Sequence, residues 1–160
     1  MKVGFLSDKN GFRAPLHPDS LTKYNKTQLF VEKDIFKNID LEPKDYKKLK
    51  PLNKTALKQM DVVCFVDSVD LSIIKSLKPN TKIIGLFDDK TKKDIKKIRT
   101  DVALYDFFKL PRISRAQNMD ALSSQANLLG YASVLRASLE TSNVLPMMTT
   151  AAGNISPAKV

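Results

Sequence analysis

Two kinds of apolar pattern divide this chain. Up to residue 110, short apolar runs of strand length alternate with stretches that are apolar only at every third or fourth position. Val62-Val63-Cys64-Phe65-Val66, bounded by Asp61 and Asp67, and the run over 82–87 read as strands buried on both faces. Segments 2–6, 28–32 and 102–108 complete the strand set. Pro18 and Asp19 suit the first turn of a short helix through Leu21 and Tyr24. Pro43 is predicted to open a lysine-rich helix to Leu49, and 52–60 continues as another helical turn or two. Leu71, Ile73, Ile74 and Leu77 show helical spacing closed by Pro79-Asn80, and 90–99 reads as a helix rich in lysine. Strand–helix alternation of this period predicts βαβ units. The fold class is therefore α/β, a Rossmann-like parallel sheet with flanking helices.

Beyond residue 110 the pattern changes. Residues 119–140 read as one long helix whose larger apolar positions are Leu122, Leu129, Val134, Leu135 and Leu139. Ser123, Ala126, Gly130, Ser133 and Ala137 form a small-residue stripe on which another helix is expected to pack closely. A mid-helix glycine costs about 1 kcal/mol relative to alanine, and that packing would justify Gly130. A turn then follows at Ala152-Gly153-Asn154-Ile155-Ser156-Pro157. Two regions result: an α/β domain over 1–110, then a loop, a linking helix and the start of a further domain over 111–160.

Composition narrows the function classes. At 160 residues and 42% apolar content the chain reads as globular, and its lone cysteine excludes an internal disulfide framework. No segment approaches the roughly 18 to 20 apolar residues that cross a bilayer. The net charge of +10 raises nucleic-acid binding. However, the lysines are interspersed with acids, as in Lys33-Asp34, Glu42-Pro43-Lys44-Asp45 and Asp88-Asp89-Lys90. With neither an arginine-rich helix nor a basic stripe with aromatics, the charge reads as a solvated surface and no nucleic-acid partner is expected. No G-x-G-x-x-G, phosphate-binding P-loop or H-E-x-x-H motif is present.

The densest chemistry lies at Pro111-Arg112-Ile113-Ser114-Arg115-Ala116-Gln117-Asn118-Met119-Asp120, continuing through Ala121 to Ser124. Gln117, Asp120 and Ser123 recur at a spacing that places them on one helical face, and Arg112 in the preceding loop can reach back to them. An amide, a carboxylate, a hydroxyl and a guanidinium without a nucleophile–base pair can orient a ligand but suit covalent chemistry poorly. Each also has a plainer reading. Ser114 to Gln117 fits the S-x-x-Q capping box, and an acid such as Asp120 is favoured in a first helical turn without any function. His17 reads as a polar turn residue and Cys64 as core. Arg13, after the first strand, could face the carboxyl ends of the strands, where open α/β sheets place ligands.

At 112–124, again at Gln125-Ala126-Asn127-Leu128-Leu129-Gly130-Tyr131, and again over 150–160, the sequence resembles the alpha subunit of proton-translocating NAD(P)+ transhydrogenase, whose wider group includes alanine dehydrogenase. The similarity is weaker over 1–110, where strand 2–6, Asp61-Val62-Val63 and the turn Phe12-Arg13-Ala14-Pro15-Leu16-His17-Pro18 carry it.

The resemblance implies an oxidoreductase in which Arg112, Gln117, Asp120 and Ser123 lie against the nicotinamide of NAD(H). Gln117 and Arg112 would hold the ring and nearby ribose or phosphate, Asp120 its surroundings, and Ser123 the carboxamide. It further implies NADP(H) on a partner subunit, a homodimer, and a cytoplasmic chain that meets the inner membrane only through that partner. In that family Pro157-Ala158-Lys159-Val160 leads into the glycine-rich dinucleotide-binding domain, so a fragment with weak NAD affinity of its own is expected. A non-catalytic binding or assembly module of the same fold is the alternative. Alanine dehydrogenases use a lysine near 64–68 and a downstream histidine; here stand Cys64-Phe65-Val66-Asp67-Ser68, and His17 is the sole histidine, so that reading falls behind.

Overall fold

Alternation along the strands sorts the first region of the chain onto two faces of one sheet. The computed structural model describes residues 1–8, 13–33, 35–36, 39 and 49–159, and the chain divides into two units, Met1–Pro111 and Arg112–Val160. In the first, β1 (Lys2–Phe5), β2 (Gln28–Val31), β3 (Lys50–Pro51), β4 (Val62–Cys64), β5 (Lys82–Gly85) and β6 (Ala103–Asp106) form a sheet ordered β3-β2-β1-β4-β5-β6. All neighbouring pairs are parallel. This is the doubly wound order, and its direction reverses between β1 and β4.

Leu6, Phe30, Val63, Phe65 and Ile83 point to one side and join Leu57, Met60, Ile74, Leu77 and Ile95 from the helical segments. The intervening positions Val3, Phe5, Leu29 and Val62 point to the other, against Leu16 and Ile35. Among its described residues this unit has three α-helices: α1 (Lys54–Leu57), α2 (Leu71–Lys75) and α3 (Asp89–Ile98). Each begins at a side-chain cap, Asn53, Asp70 or Asp88, that accepts a backbone N–H of the first turn. Gly85 closes β5 where a Cβ would stand 2.6 Å from the carbonyl oxygen of Phe65, so only glycine permits that approach.

Several expectations shift in detail. The helix after Pro18 is a 3-10 helix, Pro18–Tyr24. The strand expected over 102–108 ends at Asp106 and gives way to a 3-10 turn, Phe107–Lys109. β3 is only two residues long, too short for any periodicity, and was not expected. The helix expected from Pro43 lies largely outside the described residues.

The second unit holds a 3-10 helix, Ser114–Met119, then α4 (Ala121–Glu140) and an antiparallel hairpin of β7 (Met148–Thr150) and β8 (Gly153–Ile155). Gly153 has a φ of 126°, a region that L side chains avoid, so the expected turn is the hinge of a hairpin. The small-residue stripe of α4 does not play its expected role in this unit: Gly130 has open space where a Cβ would stand. Residue numbers alone define the stripe; an opposing surface is needed to make it a packing face.

Candidate functional site

The chain turns from the 3-10 helix into α4 at Asp120, whose φ of −79° and ψ of 78° fit neither element. Its carboxylate caps α4, accepting the Ser123 N–H at 2.9 Å and the Ser123 hydroxyl at 2.6 Å. The expected S-x-x-Q box does not form. Ile113 precedes the 3-10 helix without a side-chain cap bond, because the α-helix starts later and Asp120 takes the capping role. Gln117 is therefore not engaged as a cap.

Arg112, Gln117, Asp120 and Ser123 line one cleft of about 440 Å³, with Ser114 and Asn127 among its other walls. The Ser123 hydroxyl, the Ser123 N–H and, more weakly, the Arg112 charge hold the Asp120 carboxyl below its usual range. Asp120 thus stays ionised, fixes Ser123, and places negative charge near the guanidinium. Arg112 and Gln117 are exposed, and neither side chain hydrogen-bonds to a described residue. The cleft offers a cation, a neutral amide and a hydroxyl that can still accept.

A second polar group stands at the carboxyl ends of β1, β2 and β4. Buried Asp8 accepts a hydrogen bond from the Ser68 hydroxyl at 2.9 Å. Arg13 donates to Asp67 at 2.9 Å, with its Nε 3.8 Å from Asp8. Glu32, just past β2, accepts the N–H and the hydroxyl of Ser7 at 2.8 and 2.7 Å. Arg13 does face the switch point, but as a member of an ion-pair cluster. Sequence reading missed Asp8, Asp67, Ser68 and Glu32. The rule that residues just past parallel strands converge could have found them.

His17 accepts the Asp19 N–H through Nδ1 at 3.4 Å and starts the 3-10 helix, a turn role. Cys64 is half-buried on β4, and burial pushes its thiol up to about 12, well away from a reactive thiolate. Among the described residues, no group of three or more His, Cys, Asp or Glu side chains could hold a metal ion, and no helix is long and apolar enough to cross a membrane.

Comparison with known proteins points the same way for sequence and fold. No family model matches the chain. The first of the component chains of NAD(P) transhydrogenase subunit alpha from Rickettsia prowazekii is 60% identical over 50 residues, 31% of this chain and 13% of that protein. The protein of the same description from Rhodospirillum rubrum is 51% identical over 59 residues, 37% of this chain and 15% of that one. The crystal structure of transhydrogenase from Sinorhizobium meliloti superposes with a TM-score of 0.86 at 28% identity, over 99% of this chain and 50% of that chain. This chain resembles an NAD(P) transhydrogenase alpha subunit. The match spans about half the length of the solved transhydrogenase and a much smaller share of the curated alpha subunits, and this partial coverage fits the N-terminal portion of such a subunit. An L-alanine dehydrogenase structure, with a TM-score of 0.56 at 16% identity over 71% of this chain and 35% of that one, shares the fold. The Rossmann-like parallel sheet with flanking helices is thus common to the transhydrogenase and dehydrogenase neighbours.

Proposed function

We propose that this chain belongs to the NAD(H)-binding component of a proton-translocating NAD(P)+ transhydrogenase, and that the cleft at the start of α4 holds the nicotinamide end of NAD(H). The observation that carries the reading is the meeting of Arg112, Gln117, Asp120 and Ser123 on one cleft. The donor set fits the group: a guanidinium for ribose or phosphate oxygens, an amide and a hydroxyl for the carboxamide. When bound, NADH supplies the hydride, which passes to NADP+ on a partner subunit.

Hydride transfer between two nicotinamides needs placement, not a general base. Asp120 holds Ser123 in one rotamer, so the hydroxyl oxygen keeps a fixed position for the carboxamide N–H. Arg112 binds the anionic portion of the nucleotide. Gln117 fixes the ring plane by donating and accepting through one planar amide. The ionised Asp120 also limits where Arg112 swings, which keeps the guanidinium at the mouth of the cleft.

Assembly belongs to the proposal. Leu128, Leu129, Tyr131 and Leu139 of α4 are each about two-thirds exposed or more. Large apolar side chains exposed in such number on one helix mark a surface that meets other surfaces. A further NAD-binding domain, a second copy of the subunit and the NADP(H)-binding partner are the surfaces we assign, with membrane contact only through that partner. The same exposed helix favours the alternative, a non-catalytic assembly fragment. Alanine dehydrogenase activity is disfavoured because 64–68 holds no lysine and the sole histidine, His17, lies upstream of it in a turn.

The test is a chimera in which this chain precedes the remaining sequence of the matched Rhodospirillum rubrum alpha-subunit chain, assayed with its NADP(H)-binding partner. Hydride transfer that is lost on Arg112→Ala with NADH binding largely kept supports the assigned roles. NADH binding without any hydride transfer in the parent chimera would favour the assembly reading.

A further inference from the structure

The amino-terminal edge of the sheet, opposite the switch point, concentrates positive charge in a concavity. Lys2, Lys26, Lys58 and Lys78 line a cleft of about 540 Å³ together with Gln59 and Asp61. An adjoining cleft of about 300 Å³ shares Lys78 and Asp61 and adds Lys82. Lys2 opens β1 and Lys82 opens β5, while Lys58 follows α1.

Asp61, the one acid among the described residues lining these clefts, is committed to holding them together. It accepts the backbone N–H of Lys2 at 2.7 Å and pairs with the Lys78 ammonium. The Lys2 ammonium donates to Gln59 at 2.5 Å. Lys2 and Lys78 are therefore oriented. Lys26, Lys58 and Lys82 are exposed and form no ion pair with a described residue. On α3, by contrast, Lys92 and Lys97 pair with Asp89 and Asp94.

Lysine near a helix carboxyl end complements the helix dipole, which accounts for Lys58 but not for Lys2, Lys26 or Lys82. Like charges gathered in one concavity repel each other and focus their field on an incoming anion. Ammonium groups, as point charges, suit phosphate oxygens; planar bidentate recognition of carboxylates would call for arginine. Among the described residues no aromatic side chain lines either cleft, so they offer no platform for the base stacking that marks single-stranded nucleic-acid grooves.

We propose that this lysine-lined cleft binds a small, multiply charged phosphate group, with Lys2 and Lys78 as oriented donors and Lys26, Lys58 and Lys82 supplying the uncompensated charge. The phosphate can be a soluble polyphosphate or a phospholipid headgroup. The site is separate from the proposed nicotinamide cleft, and its failure leaves that reading intact.

Inorganic tripolyphosphate is titrated calorimetrically into the full chain, and sedimentation is measured with phosphatidylcholine vesicles with and without phosphatidic acid. The cleft variant is Lys26→Gln with Lys58→Gln; the control of equal net charge is Lys90→Gln with Lys93→Gln on α3. All four residues are surface positions, so folding should persist by circular dichroism. The cleft variant should bind about tenfold more weakly or worse, the control within about twofold of the parent, with binding falling steeply from about 50 to about 200 mM salt. Selective loss of tripolyphosphate binding supports the proposal with a soluble phosphate. Selective loss of phosphatidic-acid vesicle binding, with no tripolyphosphate bound, supports it with a headgroup. Equal loss in cleft variant and control, or no binding of either probe at low salt, overturns it.

Discussion

The two units of this protein answer to different physics. In Met1–Pro111, Val63, Ile74, Ile83 and Ile95 have no exposed surface, and polar groups past the strand ends pair with one another. In Arg112–Val160, α4 has no buried residue and Leu139 is 80% exposed. The first unit owns its core. The second is organised by caps, backbone ladders and a hairpin, and leaves both its apolar surface and its Arg112 and Gln117 heads open. A region whose groups are already paired is built for stability. One whose groups are positioned but unsatisfied is built to meet something else.

The sharpest way to break that contrast is a cavity in each unit. Ile83→Ala should destabilise the chain by about 2 to 5 kcal/mol in urea unfolding, because the lost side chain leaves a void in a close-packed core. Leu135→Ala on α4 should shift the same transition by less than about 0.5 kcal/mol, as expected of an exposed position. A large effect at Leu135 would mean that the helix has a core partner within the chain. In the chimera, Arg112→Ala or Gln117→Asn should slow hydride transfer about a hundredfold while changing NADH affinity only a few-fold, because misplacement acts on the transfer step. Equal losses in rate and affinity would reduce both residues to simple binding groups.

A smaller effect is expected with pH. Asp101, held by the Arg99 guanidinium, is pushed down to about 2, and Asp61, Asp88 and Asp120 are also lowered, each first by a side-chain hydrogen bond from Lys78, Thr91 and Ser123 respectively. Their folded values lie below the unfolded carboxylate value of about 3.9, so the unfolded chain takes up protons first as pH falls. The stabilisation is complete above that value and drains away between about pH 4 and about pH 2. Urea midpoints measured across this window should fall, and Asp101→Asn should flatten the slope. The smallest effect is at the α4 cap. Asp120→Ala should lower helicity in circular dichroism and quicken amide exchange at Ser123 and Ser124, while β4 and β5 keep their protection.

Much of the fold was legible in the sequence. The apolar runs at 62–66 and 82–87 marked the buried strands, observed over 62–64 and 82–85, and the apolar-spaced helix between them pointed to parallel pairing. The two-residue β3 carries no period, and the β7–β8 hairpin hides in a Thr/Ala-rich stretch whose signal is one glycine. The site residues were legible as a cluster of polar types, but the capping was not. Ser114 and Asp120 both suit a cap in sequence, and backbone geometry chose the second.

The chain's own letters fixed the strand faces, because a period of two permits one burial pattern, and fixed which side chains carry the polar chemistry near residue 120. Tertiary structure decided the rest. Only packing in three dimensions set the strand order that brings Arg13 to Asp67, across 54 positions, and Lys26 beside Lys78. Pairings between residues so distant depend on how the sheet is wound, and local propensity carries no information about winding.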